Sequence, residues 1–546
     1  MNERRAENVI FPIMISLYAI VLVGVFFAQS RNGLWDDAYF FKRFAHNLFA
    51  YGSLSWNPSD GPVYGLTSQL FLVPVLIVYK IAQSYYILLI KIFLSLCLLF
   101  AFFFILRFDR NRAYPGRYLF LFAAFCSPIV LVTAVTGMET ALVLSLLAAF
   151  YFYLFAETDS RKFWLLPMLT LAIYLARPDA ALMPFVAFVL YYHRDRRTVF
   201  RLLFFSGLAI LAALFALKIY YGTYLPLSFY VKSLALSPYG KHFMHLAQKD
   251  KVRHLLQFFY YALPFIFVSL YSRDRRVLTL LTSAGLFIAY HALQTVEVMG
   301  MMSRFYLPSF IPIILAAAIA YVDKSSRTLF ALLLLYVGVG VLFRCMHILQ
   351  SVSIFALGLY WIVLSVQLFH LETRRVVFLF VVLSLLGLSR VAPTLALSLQ
   401  SDAAIVDEQI EHYTVWRGLK TLRAAFPQPI VIFHSEIGVP GILFPDSRIV
   451  DEVGLMNPAI VFHDRTIAEL CEQERPEAIF LPHRHYRRLN EQMQQSQCLR
   501  DYRLVVAQSS SPLYIRADRA EIFRSFCVQQ PRSVRSLLCD AHECTR

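Results

Sequence analysis

Charged side chains are scarce in this sequence of 546 residues. Asp, Glu, Lys and Arg make up 16% of the residues, while hydrophobic residues make up 58%, and the mean hydropathy is +0.58. A soluble protein of this length is not this apolar, so the composition excludes an ordinary soluble fold. The apolar residues come in blocks of roughly 20, the length that a helix needs to cross a bilayer.

Other features are absent as well. The sequence has no paired Cys-x-x-Cys motif of the kind that holds zinc, and no internal repeat is apparent. The formal net charge is +16, but the basic residues do not gather into one patch. They fall in short clusters between apolar blocks, as the positive-inside rule expects of a multi-pass membrane protein. We therefore expect no nucleic-acid partner.

A cleavable signal peptide is not apparent at the N-terminus. Met1–Arg5 precede an apolar run from Val9 to Ala28, which is too long for the apolar region of a signal peptide and lacks a small-residue cleavage site. The sequence predicts a signal anchor whose N-terminus lies in the cytoplasm.

A hydropathy window predicts about thirteen transmembrane helices. The runs lie at about 9–28, 86–106, 118–135, 140–157, 162–176, 178–193, 198–221, 255–271, 277–296, 304–322, 328–347, 352–371 and 375–397. The stretch Leu66–Lys80 is also apolar, but it is short and begins with polar residues. We predict that it lies at the membrane interface.

With that assignment, the basic clusters between spans all fall on the cytoplasmic side with Arg4 and Arg5. The opposite face collects 29–65, 136–140, 177–179, 222–254, 297–303 and everything after about 398. Residues 1–397 are thus predicted to form a helical membrane domain, in which 29–85 make the first periplasmic loop with interfacial helices. Residues 398–546 are predicted to form a separate periplasmic domain.

The C-terminal part changes in character after Ser401. Strand-like runs appear at 429–433, 478–481, 504–507 and 512–515, and polar helical stretches at 467–474 and 486–495 separate some of them. This pattern predicts a small α/β domain. Five of the eight cysteines lie here: Cys471, Cys498, Cys527, Cys539 and Cys544. They fit an oxidising compartment in which one or two disulfides form. The alternative is unpaired thiols, since the number of cysteines is odd.

Two adjacent carboxylates, Asp36 and Asp37, follow the first apolar run. Carboxylates just beyond a span are costly to desolvate and indicate an aqueous site at the bilayer surface. Their loop is rich in aromatic and polar side chains that suit a sugar, Tyr39 among them. One carboxylate could take a proton from an acceptor hydroxyl, and its neighbour could hold Mg or Mn against a phosphate. The alternative is a helix cap or an ion pair with Lys42 or Arg43.

Cationic side chains on the same face are candidates for binding a phosphate. Arg177 divides two apolar runs at bilayer depth and needs an anion, either a lipid phosphate or its neighbour Asp179. Lys232 could pair with a phosphate or extend its amine to the interface. Arg304, which opens the tenth span, is a further phosphate candidate.

Further side chains on this face are expected to contact the substrate. Glu139 lies in the turn Thr136–Thr140, where the first turn of a helix equally favours a carboxylate for structural reasons. Tyr221 and Tyr230 lie in the loop after the seventh span, and His291 lies near the end of the ninth.

Taken in order, these segments resemble a known family. The segments are Asp36–Tyr39, Gly65–Ser68, Thr136–Ala141, Leu175–Asp179, Tyr220–Lys232 and Ser303–Pro308, followed by Ser435–Gly438 and Val450–Leu455 in the external domain. The pattern is similar to bacterial integral-membrane glycosyltransferases of the GT-C class, the group around the mycobacterial terminal β-arabinofuranosyltransferase. It departs from that group in Met138, where leucine is usual, and in Asp179, where glutamate is frequent.

The resemblance implies a polyprenyl-phosphate sugar donor, a glycan or glycolipid acceptor on the periplasmic side, and a catalytic aspartate in the first external loop, Asp36 or Asp37. We expect a multi-pass protein of the bacterial inner membrane whose spans hold the prenyl tail among membrane lipids. A transporter or flippase of a lipid-linked envelope intermediate is the alternative, and it predicts ionisable residues inside the spans and repeat symmetry. A third hypothesis is a scaffold presenting the external domain.

Overall fold

The computed structural model describes residues 3–29, 32–108, 115–156, 162–233, 240–270, 272–295, 301–320, 401–427, 429–463, 465–483, 486–507 and 509–529. The predicted spans at 328–347, 352–371 and 375–397 lie outside these residues. The number of thirteen spans therefore stays a prediction.

Fourteen α-helices lie in the described part of residues 3–320. They are α1 (Glu3–Ala28), α2 (Asp36–Tyr51), α3 (Gln69–Ala82), α4 (Tyr86–Arg107), α5 (Pro115–Phe125), α6 (Pro128–Leu131), α7 (Thr140–Phe155), α8 (Lys162–Ala176), α9 (Leu182–Tyr191), α10 (Arg196–Tyr221), α11 (Leu227–Lys232), α12 (Gly240–Leu270), α13 (Arg275–Gln294) and α14 (Phe310–Ala320).

Prolines set several of these boundaries. The run predicted at 118–135 divides into α5 and α6 where Pro128 begins a new helix, and Pro178 begins the short 3-10 turn between α8 and α9. Proline cannot donate a main-chain hydrogen bond, so it is accommodated in the first turn of a helix. One expectation was wrong: the stretch 222–254 is not a simple loop, because α12 begins at Gly240. A hydropathy window does not detect such a polar extension of an apolar helix.

Among the described residues, four stretches are long and apolar enough to cross a membrane: Ile10–Ala28, Gln69–Arg107, Arg196–Tyr221 and Arg275–Gln294. The second combines α3 and α4, which a 3-10 turn separates at Gln83–Tyr85. Helix α3 has 14 residues, which corresponds to about 21 Å and is too short to cross alone. Its position at the interface stays a prediction.

The membrane part has a buried centre and an apolar exterior. All eleven residues of α14 are buried between α12, α13 and α7. Helix α10, by contrast, exposes large apolar side chains every three or four residues: Phe200, Phe204, Leu208, Leu211, Phe215 and Ile219. Such a stripe would be unfavourable in water and suits contact with lipid.

The C-terminal part contains a five-stranded sheet in the order β2-β1-β3-β5-β4. The strands are β1 (Val431–His434), β2 (Arg448–Asp451), β3 (Ala478–Phe480), β4 (Tyr502–Val506) and β5 (Leu513–Arg516). β1 pairs in parallel with β2 and β3, while β5 pairs antiparallel with β3 and β4. The sheet is thus mixed. The sequence analysis did not predict strand β2, because the strand has only four residues and its first and last residues are charged.

Seven helices accompany this sheet among the described residues: Asp402–His412, Leu419–Ala425, Gly438–Leu443, Pro458–Phe462, Ile467–Glu474, Arg487–Gln495 and Ala520–Gln529. The two predicted helical stretches are confirmed as Ile467–Glu474 and Arg487–Gln495. A disulfide joins Cys471 to Cys498, which confirms one disulfide in the cysteine-rich tail.

The C-terminal part of the described residues, 401–529, packs directly onto α2; we call it the C-terminal domain, and its boundary at 398 stays a prediction. Arg43 is 1% exposed, and its guanidinium donates to the main-chain oxygens of Gly441, Phe444 and Ser447 at 2.6, 3.1 and 2.7 Å. It also donates to the main-chain oxygen of Trp56 at 2.6 Å. A buried guanidinium is stable only when its donors are satisfied, so this contact depends on both parts of the chain.

Candidate active site

The start of α2 is held against the turn that precedes α7. The main-chain N–H of Trp35 donates to the oxygen of Thr136 at 3.0 Å. Gly137 has a φ of +79°, and a Cβ on it would lie 2.8 Å from Cβ of Ala38. Both the left-handed backbone and the close approach require glycine. The packing therefore brings Asp37 and Glu139 to the same place.

Asp36 is turned toward the C-terminal domain. Its two carboxylate oxygens accept hydrogen bonds from the main-chain N–H groups of Gly438 and Val439, at 2.9 and 2.8 Å. Burial raises the pKa of Asp36 to about 7, although these two N–H groups favour the ionised form. A Cβ on Gly438 would overlap the main-chain oxygen of Asp36. Asp36 thus acts as a contact between domains in this structure.

Asp37 is turned toward the cations. Its Oδ2 accepts a hydrogen bond from Nη2 of Arg304 at 2.8 Å. Burial raises the pKa of Asp37, but the charges of Arg304 and Lys232 outweigh that effect and hold the pKa below its ordinary value. The carboxylate is consequently ionised at neutral pH.

Arg304 follows two residues with unusual backbone conformations. Met302 and Ser303 have φ values of 55° and 58°, in the left-handed region that costs a non-glycine residue about 1–3 kcal/mol. Oγ of Ser303 donates to the main-chain oxygen of His254 at 2.8 Å, which helps to hold this turn. Such backbone conformations are frequent at ligand-binding sites, and these two residues immediately precede Arg304.

Three cationic side chains converge on the ring of Phe305. The guanidinium carbons of Arg177 and Arg304 lie 5.4 and 5.3 Å from the centre of this ring, and Nζ of Lys232 lies 6.0 Å from it. The three come from distant parts of the chain. Asp37 and Asp179 lie beside the two guanidinium groups, and guanidinium and ammonium groups that converge in this way can also bind an anionic ligand.

Arg177 is oriented by a chain of polar contacts. Its Nε donates to Oδ2 of Asp179 at 3.0 Å, and the same oxygen lies 2.7 Å from Nε2 of His291. Nδ1 of His291 lies 3.2 Å from Oγ1 of Thr295. Of the two predicted roles of Arg177, the pair with Asp179 is present in the structure, and the binding of a phosphate stays a prediction.

Glu139 contributes a second acidic side chain. It is 6% exposed, and its Oε2 is buried without a hydrogen-bond partner among the described residues. A buried carboxylate oxygen without a partner is costly and has capacity to accept a hydrogen bond from a ligand. Its charge acts on both Arg177 and Lys232.

These side chains line one cavity of about 510 Å³. Its polar lining includes Asp37, Glu139, Arg177, Asp179, Lys232, His291 and Arg304, and its apolar lining includes Phe40, Phe41, Leu66, Met138, Phe229, Phe305, Leu455 and Met456. A pocket with apolar walls and a few convergent polar groups is typical of a ligand site. Six of the predicted site residues thus meet here.

Four predicted site residues do not line this cavity. Asp36 binds the C-terminal domain, as described. The hydroxyl of Tyr39 accepts from Leu34 N at 3.0 Å and donates to Oε1 of Gln409 at 2.8 Å. Tyr221 stacks on Tyr64 at 4.8 Å between ring centres, and Tyr230 packs against Phe462 at 5.2 Å. Their roles at a substrate stay predictions.

The contacts give no support to a metal site at Asp36 and Asp37. Both oxygens of Asp36 accept main-chain hydrogen bonds, and Asp37 pairs with Arg304. Within the residues that the structure describes, no group of three or more His, Cys, Asp or Glu side chains is arranged to hold a metal ion. A Mg or Mn ion does not fit these residues and takes no part in the proposal below.

Sequence reasoning missed several residues of the cavity. Phe305, Leu455 and Met456 line it, and Asp179 was considered only as a partner of Arg177. The signal for Leu455 was present in the motif Val450–Leu455, but nothing in the sequence placed that motif beside the first loop.

Comparison with solved protein structures identifies the fold of this chain. No protein-family model matches the sequence, and no curated protein matches it. Two crystal structures of ArnT from Cupriavidus metallidurans resemble it, one bound to undecaprenyl phosphate and one in the apo state. Their TM-scores are 0.54 and 0.50, each at 12% identity over 92% of this chain and 97% of that chain. The chain therefore has the fold of a mostly helical, multi-pass membrane protein similar to ArnT, with a small mixed C-terminal sheet.

Proposed function

We propose that this protein is a glycosyltransferase that moves a sugar from a polyprenyl-phosphate donor to a hydroxyl of a cell-envelope glycan or lipid. The observation that carries the proposal is one cavity in which Asp37 lies beside Arg177, Lys232 and Arg304. The motif resemblance to the GT-C class supports it. So does the likeness to ArnT, one structure of which is bound to undecaprenyl phosphate.

In the proposed reaction, the acceptor oxygen attacks the anomeric carbon of the sugar. The bond between that carbon and the phosphate oxygen breaks, and the polyprenyl phosphate leaves with the electron pair. The acceptor proton passes to a carboxylate oxygen of Asp37 as the new bond forms. Asp37 is preferred over Asp36 because it lines the cavity, whereas both oxygens of Asp36 are occupied by main-chain N–H groups.

The three cations bind the phosphate in this proposal. The guanidinium groups of Arg177 and Arg304 offer paired donors that match phosphate oxygens, and Lys232 adds a point charge. The cavity also holds the carboxyl groups of Asp37, Glu139 and Asp179, and Arg304 is paired with Asp37 before a ligand binds. A phosphate would draw Arg304 away from Asp37, which would make that carboxylate a stronger base at the moment it is needed.

The prenyl tail would lie against apolar walls that open toward lipid, in a groove between membrane helices. We place the cavity at the periplasmic face of the bacterial inner membrane, with the N-terminus in the cytoplasm, because the basic clusters predict that orientation.

Transport of a lipid-linked intermediate is the second hypothesis. It requires charged groups along a path across the membrane. The predicted phosphate ligands instead meet in one cavity beside a carboxylate, which favours transfer chemistry.

The proposal is tested by mass spectrometry of envelope glycans and lipids from cells with and without this protein. We expect one sugar substituent to disappear in its absence, while its polyprenyl-phosphate donor accumulates. Wild-type protein should restore the substituent, and Asp37→Asn at equal expression should not. Full restoration by Asp37→Asn, or an unchanged envelope in the deletion strain, would overturn the proposal.

A further inference from the structure

One wall of the cavity comes from the C-terminal domain. Leu455 and Met456 line the cavity together with residues of the membrane part, and Met456 is only 3% exposed. They lie in the segment 452–457 that follows strand β2, which we call the β2 loop. The domain thus does more than dock on α2, because two of its side chains face the same space as Asp37.

Asp451 bonds to the main chain of the β2 loop. The two carboxylate oxygens of Asp451 accept hydrogen bonds from the main-chain N–H groups of Val453 and Met456, at 2.8 and 2.7 Å. Gly454 has a φ of +90°, which glycine adopts without strain. Burial raises the pKa of Asp451 to about 6, against the effect of these N–H groups. The loop therefore presents Leu455 and Met456 from a hydrogen-bonded backbone.

The first external loop is shaped to receive Met456. Gly65 also lines the cavity, and a Cβ on Gly65 would overlap Sδ of Met456 and lie 3.0 Å from its Cε. Methionine is flexible, so an added methyl group would displace the thioether rather than the backbone. The absent side chain at position 65 thus makes room for Met456 at the cavity wall.

We propose that Met456, seated against Gly65, is the residue that selects the transferred sugar by its size. This inference rests on the proposed function. The prenyl tail reaches the cavity from the membrane, so the wall formed by the C-terminal domain meets the part of the donor that is not lipid. An apolar thioether and a leucine suit the apolar face of a sugar ring, while Oε2 of Glu139, which has no hydrogen-bond partner among the described residues, is available to its hydroxyl groups.

Two substitutions are expected to change the volume of the cavity in opposite directions. Met456→Ala removes three heavy atoms from the wall and enlarges the cavity, and Gly65→Ala pushes the thioether inward and narrows it. A steric difference of one methylene group in an apolar pocket changes selectivity about 10- to 200-fold. In the double variant, the alanine at position 65 no longer meets a thioether, so its constriction should disappear.

The test uses purified full-length protein in lipid nanodiscs. Donors are undecaprenyl phosphate carrying a pentose, a hexose or an N-acetylhexosamine, and the acceptor is the envelope fraction of cells that lack the protein. The readout is the ratio of kcat/KM for bulky and small sugars. We expect Met456→Ala to raise the ratio about tenfold or more and Gly65→Ala to lower it. The double variant should resemble Met456→Ala.

Met493→Ala serves as the matched control. Met493 is fully buried in the C-terminal domain and does not itself line the cavity. Its truncation should lower the melting temperature without changing the ratio. Ratios that stay at the wild-type value in Met456→Ala and Gly65→Ala, with transfer intact, would overturn the inference and leave the proposed function standing. If wild-type protein transfers none of the three sugars, the proposed function fails and the inference fails with it.

Discussion

Helix α2 presents two faces with opposite tasks. Asp36 and Arg43, seven residues apart and so on one side of the helix, are bonded to the main chain of the C-terminal domain. Asp37 and Phe41, four residues apart on another side, line the cavity. A rotation of about 100° between adjacent helical residues is enough to separate a structural carboxylate from the proposed catalytic one.

Asp36 and Asp37 also differ in their pKa values. Burial raises the pKa of Asp36 to about 7. The pKa of Asp37 is held low despite burial, because Arg304 and Lys232 lie beside it. Burial raises the pKa of both side chains, but the two main-chain N–H groups at Asp36 offset this effect only in part, whereas the charges of Arg304 and Lys232 at Asp37 outweigh it.

The largest expected effect separates the two aspartates directly. Asp37→Asn should reduce the initial rate of sugar transfer about 100- to 10,000-fold, because the proton acceptor is lost, while the melting temperature stays near that of the wild type. Asp36→Asn should retain a substantial rate and lose stability. Equal losses of rate in both variants, at equal stability, would contradict the assignment of different roles.

A second prediction concerns Arg304, the cation that lowers the pKa of Asp37. Arg304→Gln should lower kcat/KM about 100-fold, as loss of a charged ligand to a phosphate does. Its removal also raises the pKa of Asp37, since the stabilising charge is gone. The base must be ionised to act, so the acid limb of the pH–rate profile should move to higher pH. An unmoved acid limb would show that Asp37 does not titrate in that limb.

The docking face gives a third prediction, in stability rather than rate. Arg43→Lys replaces a planar group that satisfies several main-chain oxygens with a point charge that satisfies fewer. We expect a loss of about 3 kcal/mol, seen as a lower melting temperature in detergent and easier proteolysis of the C-terminal domain. Lys42→Arg, at the neighbouring ion pair with Asp402, is the matched control and should change little.

The smallest effect is the pH dependence of stability at Asp36. A carboxyl group whose pKa rises from 3.8 to about 7 on folding binds more protons in the folded state between these values. Stability therefore falls as pH rises through that window. Asp36→Asn stays neutral, so its melting temperature should fall less steeply between pH 4 and 7 than that of the wild type. Parallel slopes would contradict the raised pKa.

Much of the fold could be predicted from the sequence because apolar membrane helices leave strong local signals. The runs from 9–28 to 277–296 correspond to helices in the structure, and the C-terminal α/β pattern was visible in four of five strands. Cavity residues such as Asp37, Arg177 and Arg304 could be proposed because charge at bilayer depth is unusual.

The rest depends on tertiary contacts that no local pattern records. Nothing in Asp36-Asp37 shows which carboxylate meets Gly438, because that partner lies about 400 residues away. Met456 is an ordinary apolar residue until its place beside Gly65 is known. For the same reason Tyr39, Tyr221 and Tyr230 were candidates from composition alone, whereas their contacts in the structure are with other protein groups.

The central claim is that the cavity beside Asp37 transfers a sugar from a polyprenyl phosphate. The most direct measurement is a single turnover with purified protein in nanodiscs and an undecaprenyl-phosphate sugar, in which bound donor and released undecaprenyl phosphate are both quantified. The account predicts that wild-type protein binds the donor and releases undecaprenyl phosphate when acceptor is added, and that Asp37→Asn binds the donor but does not release it. Release by Asp37→Asn at the wild-type rate would contradict the account, and so would donor binding by the wild type without any release.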